Sequence, residues 1–233
     1  MISTDARHLV MGPREIWIPG LTNTTGAPSP WVTVPIPKEA VMVHFTLIGG
    51  GGGGGRPRVL AAAGGGGGGG TGAVTHWQVA ASLLPKMVYA APGFGGRGGI
   101  ADNQGGLSGI STILACVPTS TSDGIYAIAN PGFGGAANGA AGSPGAVSTI
   151  ASMELASLGT FQSYVGIAGS TGTAFNANNL TLPASLFISG GTAGGGSSAG
   201  TGGQIAGFAG VFPTIAGGVS GDNPGNHGIH LKH

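Results

Sequence analysis

The sequence predicts a mainly β protein: short antiparallel strands and hairpins combined with packed glycine-rich, polyglycine II-like segments, and almost no helix. Three observations carry this expectation. Of 233 residues, 52 are glycine, many of them in homopolymer runs. Short runs of β-branched, aromatic and small apolar residues alternate with period two. Proline or glycine bounds almost every such run, as short strands require.

In chain order, residues 31–35 (WVTVP) precede the clearest strand, residues 40–48 (AVMVHFTLI). Alternation puts Val41, Val43, Phe45 and Leu47 on one face and Met42, His44, Thr46 and Ile48 on the other. Further strand-like runs are residues 73–81, 86–91, 110–117, 124–129, 160–168 and 184–189. Residues 148–158 (STIASMELASL) fit a short helix with Ser148 as N-cap. The pentapeptide PGFGG occurs at 92–96 and again at 131–135, each time after strand-like runs containing Tyr89 or Tyr126. A degraded third copy runs from Ser148 through Tyr164 to Gly169. The expected unit is a hairpin closed by a glycine loop, stacked on its neighbours.

Two runs of seven glycines are the most informative residues: Gly49, Gly50, Gly51, Gly52, Gly53, Gly54 and Gly55, then Gly64, Gly65, Gly66, Gly67, Gly68, Gly69 and Gly70. As a threefold helix each run would extend about 20 Å at roughly 3.1 Å per residue. Ordering it costs about 1–2 kcal/mol per residue. Only neighbouring glycine helices can offset that, because backbones without side chains approach closely enough to hydrogen-bond sideways. The equal lengths and the short connector favour packed helices over a flexible linker. Three segments follow: an N-terminal β segment (1–48), a glycine-rich β domain with hairpin repeats (49–189) and a glycine-rich C-terminal segment (190–233).

Charge excludes several function classes. Only 6% of residues are charged, against roughly 25% in an ordinary domain. Eight basic and seven acidic residues offer no stripe for nucleic acid. A mean hydropathy of +0.31 with net charge +1 disfavours a solvated disordered chain. Collagen is excluded, because glycine never settles into a G-X-Y period. No secretory signal or membrane span is expected, and the lone Cys116 reads as a small buried apolar residue in a chain made in a reducing compartment. Charges are sparse beyond Asp102, where Asp123, Glu154, Asp222 and Lys232 are all that follow. Such a surface repels copies of itself weakly, which points to a multimer.

Enzyme motifs are weak. Residues 93–98 match GxGxxG without a βαβ context. Residues 196–200 match GxSxG, with Asp222 and His227 following in order, but no helix pattern comes after Ser198. No catalytic residue, metal ligand or cofactor is therefore expected. His227, His230 and His233 read as a solvated tail or, in an assembly of chains, a metal clamp. His44 and His76 read as structural residues of their strands.

The succession of WVTVP, an alternating Val-rich strand and a polyglycine run resembles the glycine-rich domain of bacteriophage tail fibre and other virion proteins. The later glycine segments are similar to the polyglycine-containing tail-fibre adhesins of T-even-like phages, although strand-like runs interrupt them here. In such adhesins packed polyglycine II helices carry short distal loops that touch the host receptor. The resemblance implies a non-enzymatic tail-fibre or tail-tip adhesin of the virion, assembled in the bacterial cytoplasm. It would be a homotrimer, attached to other tail proteins through residues 1–48, with a host glycan or outer-membrane protein as receptor. No nucleic-acid partner and no membrane insertion are implied. Receptor contact is expected where aromatic and amide side chains interrupt glycine: Phe175 with Asn176, Asn178 and Asn179, and Phe208 with Phe212. Phe94 and Phe133, repeated in PGFGG, are expected to anchor their loops in the core. The alternative functions are a purely structural virion component and a depolymerase tail spike.

Overall fold

Alternating side chains find one common core, and this fixes nine short strands among the described residues. The computed structural model describes residues 15–19, 30–56, 66–171 and 228–232. The strands are β1 (Glu15–Pro19), β2 (Val32–Pro35), β3 (Met42–Ile48), β4 (Val74–Ala80), β5 (Met87–Ala91), β6 (Thr112–Ala115), β7 (Ile125–Ala129), β8 (Thr160–Tyr164) and β9 (Gly228–Lys232). They form two antiparallel sheets, a five-stranded one in the order β1-β9-β3-β4-β8 and a four-stranded one in the order β2-β5-β6-β7. The mainly β expectation is met. The larger sheet draws strands from all three segments read in the sequence.

The sheets pack face to face around complementary side chains. The five-stranded sheet contributes Val43, Phe45, Leu47, Trp77 and Val79, all at most 1% exposed. Opposite them the four-stranded sheet presents Val34, Val88, Leu114 and the small Ala90, Ala127 and Ala129. The alanines leave room for an aromatic stack in which Trp77 lies between Phe45 (centroids 5.7 Å) and Tyr126 (5.1 Å). Trp77 Nε1–H donates to the Ala156 carbonyl at 3.1 Å, so its one polar group is satisfied. Burial pushes the Tyr126 hydroxyl above its usual pKa, with the nearby Cys116 adding to the shift.

Several sequence expectations need correction. Val41 is 81% exposed, because β3 begins one residue later and leaves it beyond the sheet. The helix expected over 148–158 is two 3-10 helices, Ile150–Ser152 and Glu154–Leu158. Thr149, not Ser148, is the N-cap and forms a capping box with Ser152. Ser148 instead donates its hydroxyl to the Ile128 carbonyl (2.7 Å). The run 160–168 is a strand only as far as Tyr164, and the run 184–189 lies outside the described residues. The C-terminal tail is not solvated backbone: Gly228–Lys232 pairs with β1 on one side and β3 on the other. Cys116 is half-buried at the margin of the core rather than enclosed by it.

Candidate functional site

Below the sheets the chain changes its mode of packing. β3 runs directly into 49–56, β5 into 92–100, β7 into 130–136 and β8 into 165–171, while 66–73 leads up into β4 and 104–110 into β6. Together with 140–146 these segments lie side by side, joined by backbone hydrogen bonds of 2.7 to 3.2 Å. The donors recur every third residue. The N–H groups of Gly49, Gly52 and Gly55 donate to the carbonyls of Ala73, Gly70 and Gly67, and those of Gly50, Gly53 and Arg56 donate to Ile110, Leu107 and Gln104. A period of three, with every bond reaching a different chain segment, is the signature of packed polyglycine II helices.

Segment 49–56 is the hub. It also accepts from Gly96 and Gly99 at its Gly51 and Gly54 carbonyls, and from Gly132 and Gly135 at Gly50 and Gly53. Falling and rising residue numbers in these pairs give the directions: 92–100 and 130–136 run parallel to it, 66–73 and 104–110 antiparallel.

Glycine is required here for closeness rather than for an unusual backbone. Among the described residues only Gly139 (φ 91°) and Asn103 (φ 61°) have positive φ. A Cβ at Gly52 would fall on the Phe133 carbonyl, and one at Gly53 on the Arg97 carbonyl. The outer segments need glycine only where they face a neighbour. Gly93, Gly96 and Gly99 abut the carbonyls of Ile110, Leu107 and Gln104, and the pairs Gly106/Gly109, Gly132/Gly135, Gly142/Gly145 and Gly166/Gly169 repeat the step. Glycine thus recurs every third residue inside single segments, a local period that the chain as a whole does not keep. Both expected glycine runs are packed; Gly64 and Gly65 lie outside the described residues. The PGFGG copies are not loops closing hairpins. Each is the start of a threefold helix continuing a strand of the same sheet.

Thr112 fixes the junction between the two modes. Its hydroxyl donates to the Ile48 carbonyl and accepts from the Gly93 N–H (2.8 Å), joining the last residue of β3 to the first turn of the next glycine helix.

The two described connections between glycine segments lie at the end of the bundle away from the sheets. One is the turn 101–103, where Gln104 Oε1 accepts from the N–H groups of Ile100 and Ala101, each at 3.0 Å. Arg56 reaches across from the hub, donating to the Ile100 carbonyl (2.8 Å) and pairing with Asp102 (3.4 Å). The second turn, 137–139, is closed by the Ala136 N–H on the Ala140 carbonyl at 2.9 Å. Segment 165–171 ends at the same level, with Ser170 accepting from Gly68. Ile100 and Asp102 stand about half exposed at this tip.

The expected contact residues Phe175, Asn176, Asn178, Asn179, Phe208 and Phe212 lie outside the described residues, as does the GxSxG match. Phe94 is buried, as expected of an anchor, but Phe133 is 50% exposed on the bundle's flank. The GxGxxG match at 93–98 lies in an extended segment, without the strand-to-helix turn a dinucleotide needs. Among the described side chains no three His, Cys, Asp or Glu residues are grouped to hold a metal ion. His44 and His76 do form a pair, with ring centroids 5.9 Å apart. No helix among the described residues is long and apolar enough to cross a membrane.

Sheets above and a sideways-bonded glycine bundle below define a glycine-rich β scaffold. The family model of the glycine-rich domain matches residues 24–230, and the chain belongs to that family. No curated protein matches it.

Proposed function

We propose that this chain is a phage tail-fibre or tail-tip protein that binds the host surface without chemistry. The observation that carries the reading is the placement of the two described turns between glycine segments, 101–103 and 137–139, at the end of the bundle opposite the sheets. Loops positioned by a rigid scaffold are where binding residues concentrate. The tip offers Ile100, Asp102 and Asn103 on a turn braced by Arg56 and Gln104. Phe175–Asn179 follow shortly after Thr171 in the sequence, and their aromatic and amide side chains suit a glycan or an outer-membrane loop. The charge-poor composition favours assembly as a homotrimer, held to other tail proteins through residues 1–48.

The test is adsorption. Particles carrying Phe175→Ala with Asn178→Ala should assemble normally and fail to adsorb to host cells. Normal adsorption would remove that loop as the contact. Particles that fail to assemble would favour a structural virion component, and release of sugar from host polysaccharide by the wild-type chain would favour a depolymerase.

A further inference from the structure

The four neighbours of the hub are consecutive around it: 92–100 bonds to 104–110, 104–110 to 130–136, and 130–136 to 66–73. A threefold helix turns its N–H groups in three directions and its carbonyls in three more, which makes room for six neighbours. Two adjacent positions beside the hub are therefore unfilled among the described residues. The same holds for 66–73, whose neighbours are the hub, 130–136, 140–146 and 165–171. These unfilled positions share one side of the bundle. That side continues the outer face of the five-stranded sheet, to which the hub, 66–73 and 165–171 are joined.

The backbone groups on this side are those that the step of three leaves over. Gly49, Gly52 and Gly55 donate to 66–73, and Gly50, Gly53 and Arg56 to 104–110. The N–H groups of Gly51 and Gly54 have no acceptor among the described residues, and on 66–73 the same is true of Gly69 and Gly72. All four glycines are buried. A buried backbone N–H is rarely left without a partner, so this side is made to receive one. Ile48 and Val74, paired on the outer face just above, are 0% and 1% exposed although neither belongs to the sandwich core.

We propose that this side is the docking face for the chain's own glycine-rich residues 190–221, with Gly221 and Gly218 seated against Gly51 and Gly54. Gly228 faces Ile48 across an antiparallel ladder, on the side of β3 away from β4. The chain thus returns to the sheet beside the top of the hub. Residues 190–221 carry no charge, and they repeat the step of the outer helices in Gly191/Gly194, Gly200/Gly203, Gly207/Gly210 and Gly218/Gly221.

Register selects the last pair. In both antiparallel neighbours of the hub, the residue before each acceptor is a glycine abutting a hub carbonyl: Gly72 and Gly69 on Gly49 and Gly52, Gly109 and Gly106 on Gly50 and Gly53. A third antiparallel neighbour needs the same pair against Gly51 and Gly54. Counting back from Gly228 without a slip would put Pro224 against Gly51, where a Cβ has no room. Gly221 and Gly218 are the next pair with the right spacing. The intervening residues 222–226 (DNPGN) have turn composition and take up the extra length.

The experiment is amide hydrogen exchange resolved at single glycines of the full-length protein, at concentrations above and below those at which light scattering detects assembly. Gly51 and Gly54 should exchange as slowly as Gly50 and Gly53 at every concentration. Gly218→Ala and Gly221→Ala should each speed exchange at Gly51 and Gly54 roughly tenfold, the scale of one lost backbone hydrogen bond, and leave Gly50 and Gly53 unchanged. Unprotected amides at Gly51 and Gly54 in the wild type would overturn the docking face. Protection found only in the assembled state would assign the face to a second copy and overturn the proposed occupant, as would protection that survives both alanine variants. The wild-type rates decide the matter even where an alanine variant does not fold.

Discussion

Trp77 and Gly52 are both buried, yet they hold the molecule together in opposite ways. Trp77 brings a large apolar surface to the sandwich and fills the space left by alanines on the facing sheet. Gly52 brings no side chain, and its value lies in letting the carbonyl of Phe133 occupy the place of a Cβ. In the sandwich, removing atoms is harmful; in the bundle, adding them is. The energetics differ accordingly. A bundle hydrogen bond contributes about 0.5–1.5 kcal/mol net, while ordering each residue costs about 1–2 kcal/mol. With roughly one sideways bond per hub residue these terms nearly cancel, so the bundle depends on the sandwich from which its segments hang.

The comparison can be broken from either side. The largest effect is expected for Gly52→Val, where clashes with three backbone atoms of Phe133 and Gly134 leave no flexible group to yield. The loss should exceed the roughly 1–3 kcal/mol of an ordinary overpacked core and show as loss of soluble protein. Trp77→Ala should follow at about 3–5 kcal/mol in denaturant unfolding, since it empties the centre of the aromatic stack and leaves the Ala156 carbonyl with the Gly159 N–H alone as donor.

Next comes the pair of repeated phenylalanines. Phe94→Ala should measurably lower the melting temperature, whereas Phe133→Ala, half exposed, should stay within about 0.5 kcal/mol of wild type. Equal losses at the two sites would mean that the flank bearing Phe133 is covered in the native assembly.

The smallest effect is that of pH on the sheet. The folded-state pKa of His76 is lowered, so below about pH 6.5 the unfolded chain binds more protons at this site. Its contribution to stability is complete above that pH and declines as pH falls towards the lowered value. His76→Gln should flatten this part of the stability–pH curve.

The same contrast explains what could be read from the sequence. Strands such as β3 and β4 were legible because burial on one face imposes alternation, and the seven-glycine runs because the hub is hydrogen-bonded to four neighbouring segments. The outer helices were not, because glycine is needed only every third residue and Phe94, Arg97, Leu107 and Ser108 fill the gaps. β1 and β9 carry the right alternation, Ile16 with Ile18 and Ile229 with Leu231, but each is five residues long and takes its meaning only from the other and from β3. The fate of each PGFGG phenylalanine depends on its helix's place in the lattice, which a pentapeptide does not encode.

The central claim is that glycine serves the bundle by allowing backbones to touch, and two adjacent residues test it most directly. A Cβ at Gly105 would meet its nearest atom, the Gly135 carbonyl oxygen, at an ordinary 3.4 Å, whereas one at Gly106 would fall on the Gly53 carbonyl. Neither residue has a positive φ, so alanine suits both backbones. In thermal and denaturant unfolding Gly105→Ala should be neutral or stabilising by about 0.4–1 kcal/mol, while Gly106→Ala should sharply reduce stability or soluble yield. If the two variants melt alike, close backbone contact is not what selects glycine here.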